Sequence, residues 1–269
     1  MVHSSPARRS VLWRFATRWD GIVLARAAGV TLLALALASL IAAASDEGGI
    51  PWSERAGHAL PFAPFCGAIG VWAALAPVRV RGEAAALEAL GRTRGQVGAP
   101  AVTGAAIAAL ACAVAIGLAP AVDIAGFYPT ATHASAWRFR DGRFEDPVRG
   151  LRIREDGAPE KFGTAAADPI QAWAVPRHGR AAASLATAFA SLAIGLIAAR
   201  MLLAPPAQPL RKARVLRDHL VDVAACGLAI ISSAVLFQVA AAGRAPALSA
   251  AAPLVILLGF SVKRYRALS

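Results

Sequence analysis

Six long apolar runs divide the chain. Each is close to the roughly 20 residues that carry a helix across a bilayer. They run from about Ala25 to Ser45, Leu60 to Val78, Gly98 to Ala119, Ala181 to Leu203, His219 to Ala242 and Pro246 to Val262. The pattern predicts an α-helical integral membrane protein with six transmembrane helices. Before the first run, Val11 to Leu24 mixes Trp13, Phe15 and Trp19 with Arg14 and Arg18. Aromatic and basic residues together suit the membrane interface, so an amphipathic entry helix is expected there. The first apolar run is read as a retained span and not a cleaved signal. Asp46, Glu47, Gly48 and Gly49 end it in a loop, and Pro61 and Pro64 fit the first turn of the second span.

Two segments break this rhythm. Between the second and third runs, Glu83 to Leu90 is a short helix-former stretch stopped by Gly91, with Arg79, Arg81, Arg92 and Arg94 around it. It predicts a short surface helix. Between the third and fourth runs, Asp123 to Gly179 is the one sizeable polar segment. Ser135 to Arg140 alternates, Asp141-Gly142 follows, and Val148 to Arg154 alternates again. An Asp-Gly pair between alternating runs is a hairpin signal. Three or four antiparallel strands are expected, too few to bury a large core alone. Three regions result: 1–122, with the entry helix, spans 1 to 3 and the surface helix 83–91; the β-element 123–179; and spans 4 to 6 over 180–269.

Composition agrees with the pattern. Apolar residues make up 57% and mean hydropathy is +0.55, beyond what a soluble domain carries. The net charge of +12 is not a nucleic-acid signature, because the cations flank the apolar runs. Arg8, Arg9, Arg14 and Arg18, then Arg79, Arg81, Arg92 and Arg94, then Arg211, Lys212, Arg214 and Arg217, then Lys263, Arg264 and Arg266 all fall on one side. The short loops of the other side hold Arg55 and Arg244. The positive-inside rule therefore puts both termini in the cytoplasm and the β-element outside. Cys66, Cys112 and Cys226 lie inside apolar runs without ligand spacing. His58, His133 and His219 show none either, so no metal is expected. No G-x-x-x-x-G-K-[ST] pattern occurs, so any ATP-driven activity is expected to need another chain, and no catalytic residue or cofactor is assigned to this one. Asp218 and Asp222, one turn apart, are expected to pair locally with Arg214 or Arg217.

The order of elements, together with four local stretches, resembles the permeases of the LptF/LptG-type lipopolysaccharide-export ABC transporters, L-P-F-A-P-F-C-G being similar to the proline-bearing start of the family's second span. G-E-A-A-A-L-E-A-L-G-R-T-R-G is similar to the family's helix after span 2, with Glu83 and Gly91 in matching places. W-R-F-R-D-G-R-F resembles a strand pair of its β-domain. A-G-R-A-P-A-L-S-A-A-A-P-L resembles the turn and start of its last span, with Pro246 and Pro253 in matching places. The chain departs from the family at Ala84 (usually Leu), Glu88 (usually basic or polar), Ala252 (often Trp) and Leu254 (often Asn). Its β-element is also much shorter than the family's jellyroll.

The resemblance implies a transmembrane subunit of an ATP-driven lipid exporter in a bacterial inner membrane. Separate cytoplasmic ATPase subunits would bind the ATP, and a second permease-like subunit would close the cavity, with spans 1 and 5 at the seam. Glu83, Leu87, Glu88, Leu90, Gly91 and Arg92 would form the ATPase-coupling helix, Leu87 and Leu90 filling a groove from one face. A phosphorylated lipid needs cations, and Arg26, Arg55, Arg177 and Arg180 are the candidates. A reading from another class stands beside it: a structural or assembly subunit that keeps this fold without carrying lipid. The short β-element and the scarcity of cations in the outer halves of the spans favour that one.

Overall fold

The computed structural model describes residues 17–44, 52–128, 138–140, 143–146, 151–153, 159–161, 175–204 and 212–268. The expected entry segment 11–16, the loop at Asp46–Gly49, the prolines of 205–209, His133, Arg8, Arg9, Arg14 and Arg211, and the side chains of Lys212 and Arg214, lie outside them. Eight helices and four strands follow in order: α1 (Arg18–Ala44), α2 (Trp52–Ala59), α3 (Ala63–Val80), α4 (Glu83–Ala89), α5 (Arg94–Leu118), β1 (Arg138–Arg140), β2 (Arg143–Asp146), β3 (Leu151–Ile153), β4 (Pro159–Lys161), α6 (Gly179–Leu203), α7 (Lys212–Ala241) and α8 (Ala252–Arg266).

Among the described residues, six helical stretches are long and apolar enough to cross a membrane: Arg18–Ala44, Arg55–Val80, Arg94–Leu118, Gly179–Leu203, Val215–Ala241 and Ala247–Arg266. The protein is a helical, multi-pass membrane protein. Several helices outrun the apolar runs that announce them. α1 begins at Arg18 and α8 continues through Lys263, Arg264 and Arg266. Hydropathy marks only the hydrocarbon stretch, while backbone hydrogen bonding continues into the polar zone.

Pro61 and Pro64 each stand in a first turn, as expected, Pro61 in the 3-10 turn Leu60–Phe62 and Pro64 in α3, and α2 precedes both. They mark a break in which Leu60–Phe62 winds as a single 3-10 turn between α2 and α3. Proline has no N–H to give the α-ladder, so the helix tightens there and restarts.

The strands form an antiparallel meander in the order β1-β2-β3-β4. Arg140 faces Arg143 across the Asp141-Gly142 position, and Phe139 faces Phe144. The hairpin stands where the Asp-Gly pair puts it.

In the helical part, α6 is the hub and packs on α3, α5 and α8, while α1 lies across α3 and α5. α7 is held chiefly by α8 and by the 3-10 turn Ala247–Ala251 before it. The buried hydrophobic side chains are mostly alanine, and the helices approach to backbone distance. A Cβ added at Gly104 would lie 2.2 Å from the Leu24 carbonyl oxygen on α1. One added at Gly70 would lie 2.1 Å from Thr31 Oγ1 and 2.6 Å from the Ala27 oxygen. Small residues replace interlocking large ones here, as helix association in lipid favours. Gly104→Leu is therefore expected to lower the thermal midpoint in detergent. The cost is about 1–3 kcal/mol or more, because backbone cannot give way as a side chain can. An unchanged midpoint would mean that α1 does not sit on α5 as described.

Candidate functional site

The polar chemistry gathers at the end of the bundle that carries α4. Local sequence sets α4 up. α3 stops at Val80, and Gly82 takes a positive φ of 72° to begin the turn. Gly91 closes the helix at φ 87°, where its amide meets the Glu88 carbonyl at 2.9 Å and the Arg92 amide meets that of Leu87 at 3.0 Å. This left-handed closure needs glycine and was expected from the sequence. Thr93 then caps α5. Its hydroxyl accepts the Gln96 amide, and Gln96 Oε1 accepts the Thr93 amide. That reciprocal pair satisfies two donors that a helix start otherwise leaves open.

Glu83, Glu88, Arg92 and Arg94 lie half-buried against the bundle, while Arg79 and Arg81 are exposed. Arg92 reaches 72 residues back with its guanidinium fork. Its Nη1 donates to Asp20 Oδ1 at 2.8 Å and its Nη2 to Asp20 Oδ2 at 2.9 Å. Asp20 is 5% exposed in the first turn of α1. Thr17 steadies it, the hydroxyl donating to Oδ2 at 2.7 Å and accepting the Asp20 amide. The carboxylate bonded along the fork lifts the Arg92 guanidinium above its ordinary value. Arg92 also lies over the Trp19 ring, 5.8 Å from its centroid, and the Trp19 indole N–H donates to Glu83 Oε2 at 3.2 Å. Glu88 accepts both arms of Arg94, at 2.8 and 3.1 Å. Trp19, Asp20, Glu83, Glu88, Arg92 and Arg94 thus lash α4 to α1 and α5.

What α4 leaves outward is apolar. Contrary to the expectation from the sequence, Leu87 does not share a free face with Leu90. It packs inward with Ala84 against the buried cluster of α1, α3 and α5. Leu90 is 81% exposed, and Val80 on the other side of the turn is 85% exposed. These are large apolar side chains at the charged end of the bundle, where solvent or a partner must meet them.

A second cluster lies at the same end, between α6, α7 and α8. Asp222 is fully buried and accepts from Arg200 on α6 and, at 3.1 Å, from Arg264 Nε on α8. Arg264 also donates to the Asp218 backbone oxygen, and Asp218's carboxylate lies within 3.8 Å of both arginines. Asp222 therefore pairs across helices and not with a local arginine, while the expected Asp218 pairing with Arg214 falls on a side chain outside the described residues. The α7 phase turns Asp222 away from solvent, and in a buried site only partners on packed helices can reach it. Tyr265 adds a tie from α8 to α5, its hydroxyl donating to the Gly95 oxygen at 2.7 Å.

The four headgroup candidates do not converge. Arg26 is exposed on α1 toward the α4 end, whereas Arg55 begins the second span near the opposite end. Arg177 is exposed before α6. Arg180 is turned inward. Its fork donates to the oxygens of Ile116, Ala119, Pro120 and Val122, at 3.2, 2.8, 3.0 and 2.7 Å, and so caps the end of α5. Beside it, the Tyr128 hydroxyl donates to the Gly179 oxygen at 2.9 Å, and burial pushes that phenol up to about 12. Among the described residues no three His, Cys, Asp or Glu side chains gather as a metal site.

Asp20, Trp19, Arg200, Asp222 and Arg264 were not singled out from the sequence as a linked set. The available signal was a carboxylate inside or at the edge of an apolar run, which must find a partner. Comparison of the chain with family models, with curated proteins and with solved structures gives no match.

Proposed function

We propose that this chain is the transmembrane subunit of an ATP-driven lipid exporter of the LptF/LptG type, with α4 as the part that takes up the ATPase stroke. The observation that carries this reading is the short helix between the second and third spans, lashed to α1 and α5 and leaving Val80 and Leu90 outward. A helix meant only to connect two spans has no use for so firm an attachment. A helix that transmits force does. The orientation that supports this reading puts α4 and both termini in the cytoplasm of a bacterial inner membrane, as the distribution of basic residues favours, with the sheet outside. Separate ATPase subunits would bind ATP and seat Leu90 and Val80 in an apolar groove. A second permease-like subunit, identical or not, would complete the cavity for a lipopolysaccharide-like membrane lipid.

One observation favours a second reading, a structural or assembly subunit that carries no lipid. Arg180 is committed to the end of α5, and the remaining cations do not converge. A pull-down from detergent-solubilised membranes separates the two. The wild type is run beside Val80→Asp with Leu90→Asp, two outward positions whose replacement leaves the bundle intact. The exporter reading expects an ATPase to co-purify with the wild type and to be lost from the variant at an unchanged thermal midpoint. An assembly without an ATPase, the same in both, would overturn the exporter reading and leave the structural one.

A further inference from the structure

A cleft of about 290 Å³ opens on the side of the bundle near its opposite end, between the start of α3 and the C-terminal half of α7. α6 is its floor at Ala186 and Ala190, Phe65 and Phe237 stand on its two walls, and the turn at Gly126–Phe127 borders it. We infer that this cleft is a binding site for one alkyl chain of a bilayer glycerophospholipid. The inference stands on the membrane-spanning character of the helices and goes beyond the exporter reading, which it does not need.

Three observations select that occupant. First, the two hydroxyls on the wall are spent as donors. The Thr187 hydroxyl donates to the Ala183 oxygen at 2.9 Å, and the Ser233 hydroxyl to the Ala250 oxygen at 2.7 Å. A polar ligand finds no free hydroxyl donor inside. Second, the cleft is continuous with the lipid-facing surface. Phe65 on its α3 wall is 48% exposed, and on α7 the neighbouring Ile231 and Val235 are 64% and 50% exposed. These residues lie within two of the helices that cross the membrane, so the medium at the opening is hydrocarbon. Third, the floor is made of alanine, which leaves the room that a larger side chain would take. An empty slot would forfeit dispersion contacts along its whole lining. Lipid tails are as apolar as the walls, so it is packing and not dehydration that holds a chain there. The exposed amide of Gln238 lines the same cleft near the end of α7, where it could meet the ester of a chain lying in the cleft.

The test uses the purified full chain in vesicles of phosphatidylethanolamine and phosphatidylglycerol, doped with a phosphatidylethanolamine that carries a diazirine in its acyl chain. After irradiation, the labelled residues are mapped by peptide mass spectrometry. A resident chain predicts labelling several-fold stronger at the cleft, around Ala190, Ile230 and Phe237, than on the open face of α1 at Leu33, Leu37 and Leu40. Ala190→Phe, which raises the floor, and Ala234→Phe, which fills the cleft from an exposed position on α7, should each abolish the excess and leave α1 labelling as it was. Ala234→Phe keeps the test decisive if the first variant folds poorly. Equal labelling of cleft and α1, or an excess that survives Ala234→Phe, overturns the proposal and leaves ordinary boundary lipid.

Discussion

Asp222→Ala is expected to destabilise the protein by about 3–5 kcal/mol, the usual cost of leaving buried charges without their partner. Asp222 is fully buried between Arg200 and Arg264. Removing it leaves two guanidinium groups facing each other, with only the more distant Asp218 carboxylate to answer them. Asp218 is 44% exposed and screened by water, so it replaces little of the loss. Asp222→Asn keeps the shape but loses the charge, and should fall between wild type and Asp222→Ala. Taking out the whole group gives the opposite result. Asp222→Leu combined with Arg200→Met and Arg264→Met should return most of the stability, since a buried ionic group replaced by packed apolar side chains is often neutral. Unfolding by added SDS, followed by intrinsic fluorescence, measures all of these. A triple variant no better than Asp222→Ala would show that the three residues do not act as one unit.

The second large effect belongs to Arg92. Arg92→Ala is expected to cost about 1.5–3 kcal/mol, the range for hydrogen bonds to a charged group, because Asp20 stays buried without its fork. Arg92→Lys should recover only part of this, since an ammonium offers a point charge where Asp20 is matched by two parallel donors at 2.8 and 2.9 Å. A double-mutant cycle with Asp20→Ala isolates the pair. Amide hydrogen exchange gives the functional half of the result. Amides of α4 and of the turn to Gly91 should exchange faster in Arg92→Ala, while those of α6 and α8 stay as they were. Under the exporter reading the same variant would still bind the ATPase through Leu90 but transmit its stroke to α1 poorly. Additive effects in the cycle with unchanged exchange in α4 would remove Arg92 from this role.

The contrast between these residues and the spans shows what is legible in a single chain. The spans, the Gly91 closure and the Asp141-Gly142 hairpin are all local. Hydrophobic runs, a glycine after a helix-former stretch and a two-residue turn each carry their reason within a few positions. Arg92 with Asp20, and Asp222 with Arg200 and Arg264, join positions 72, 22 and 42 residues apart. From the sequence Arg92 and Arg264 read as flanking cations that set topology, which hides any pairing. Asp222 offered a local partner in the sequence, and only the phase of α7 against its neighbours turns it to Arg200 and Arg264 instead. Leu87 was misjudged for the same reason. The pattern places it on a helix, but which side meets α1 depends on the turn at Gly82. Arg180 could have been read either way, since a cation before a span suits both a headgroup and the carbonyls at the end of the preceding helix.

The core built from alanine and close glycine has a practical consequence for genetics. Ala101, Ala109, Ala182, Ala193 and Ala250 are buried to 0% exposure, and truncating mutagenesis has nothing to remove at any of them. A conventional alanine scan would be silent at these seam positions and would report on the seams chiefly where it adds a Cβ, as at Gly70 and Gly104. The seams speak only when volume is added, so a leucine scan is the screen that reads this architecture.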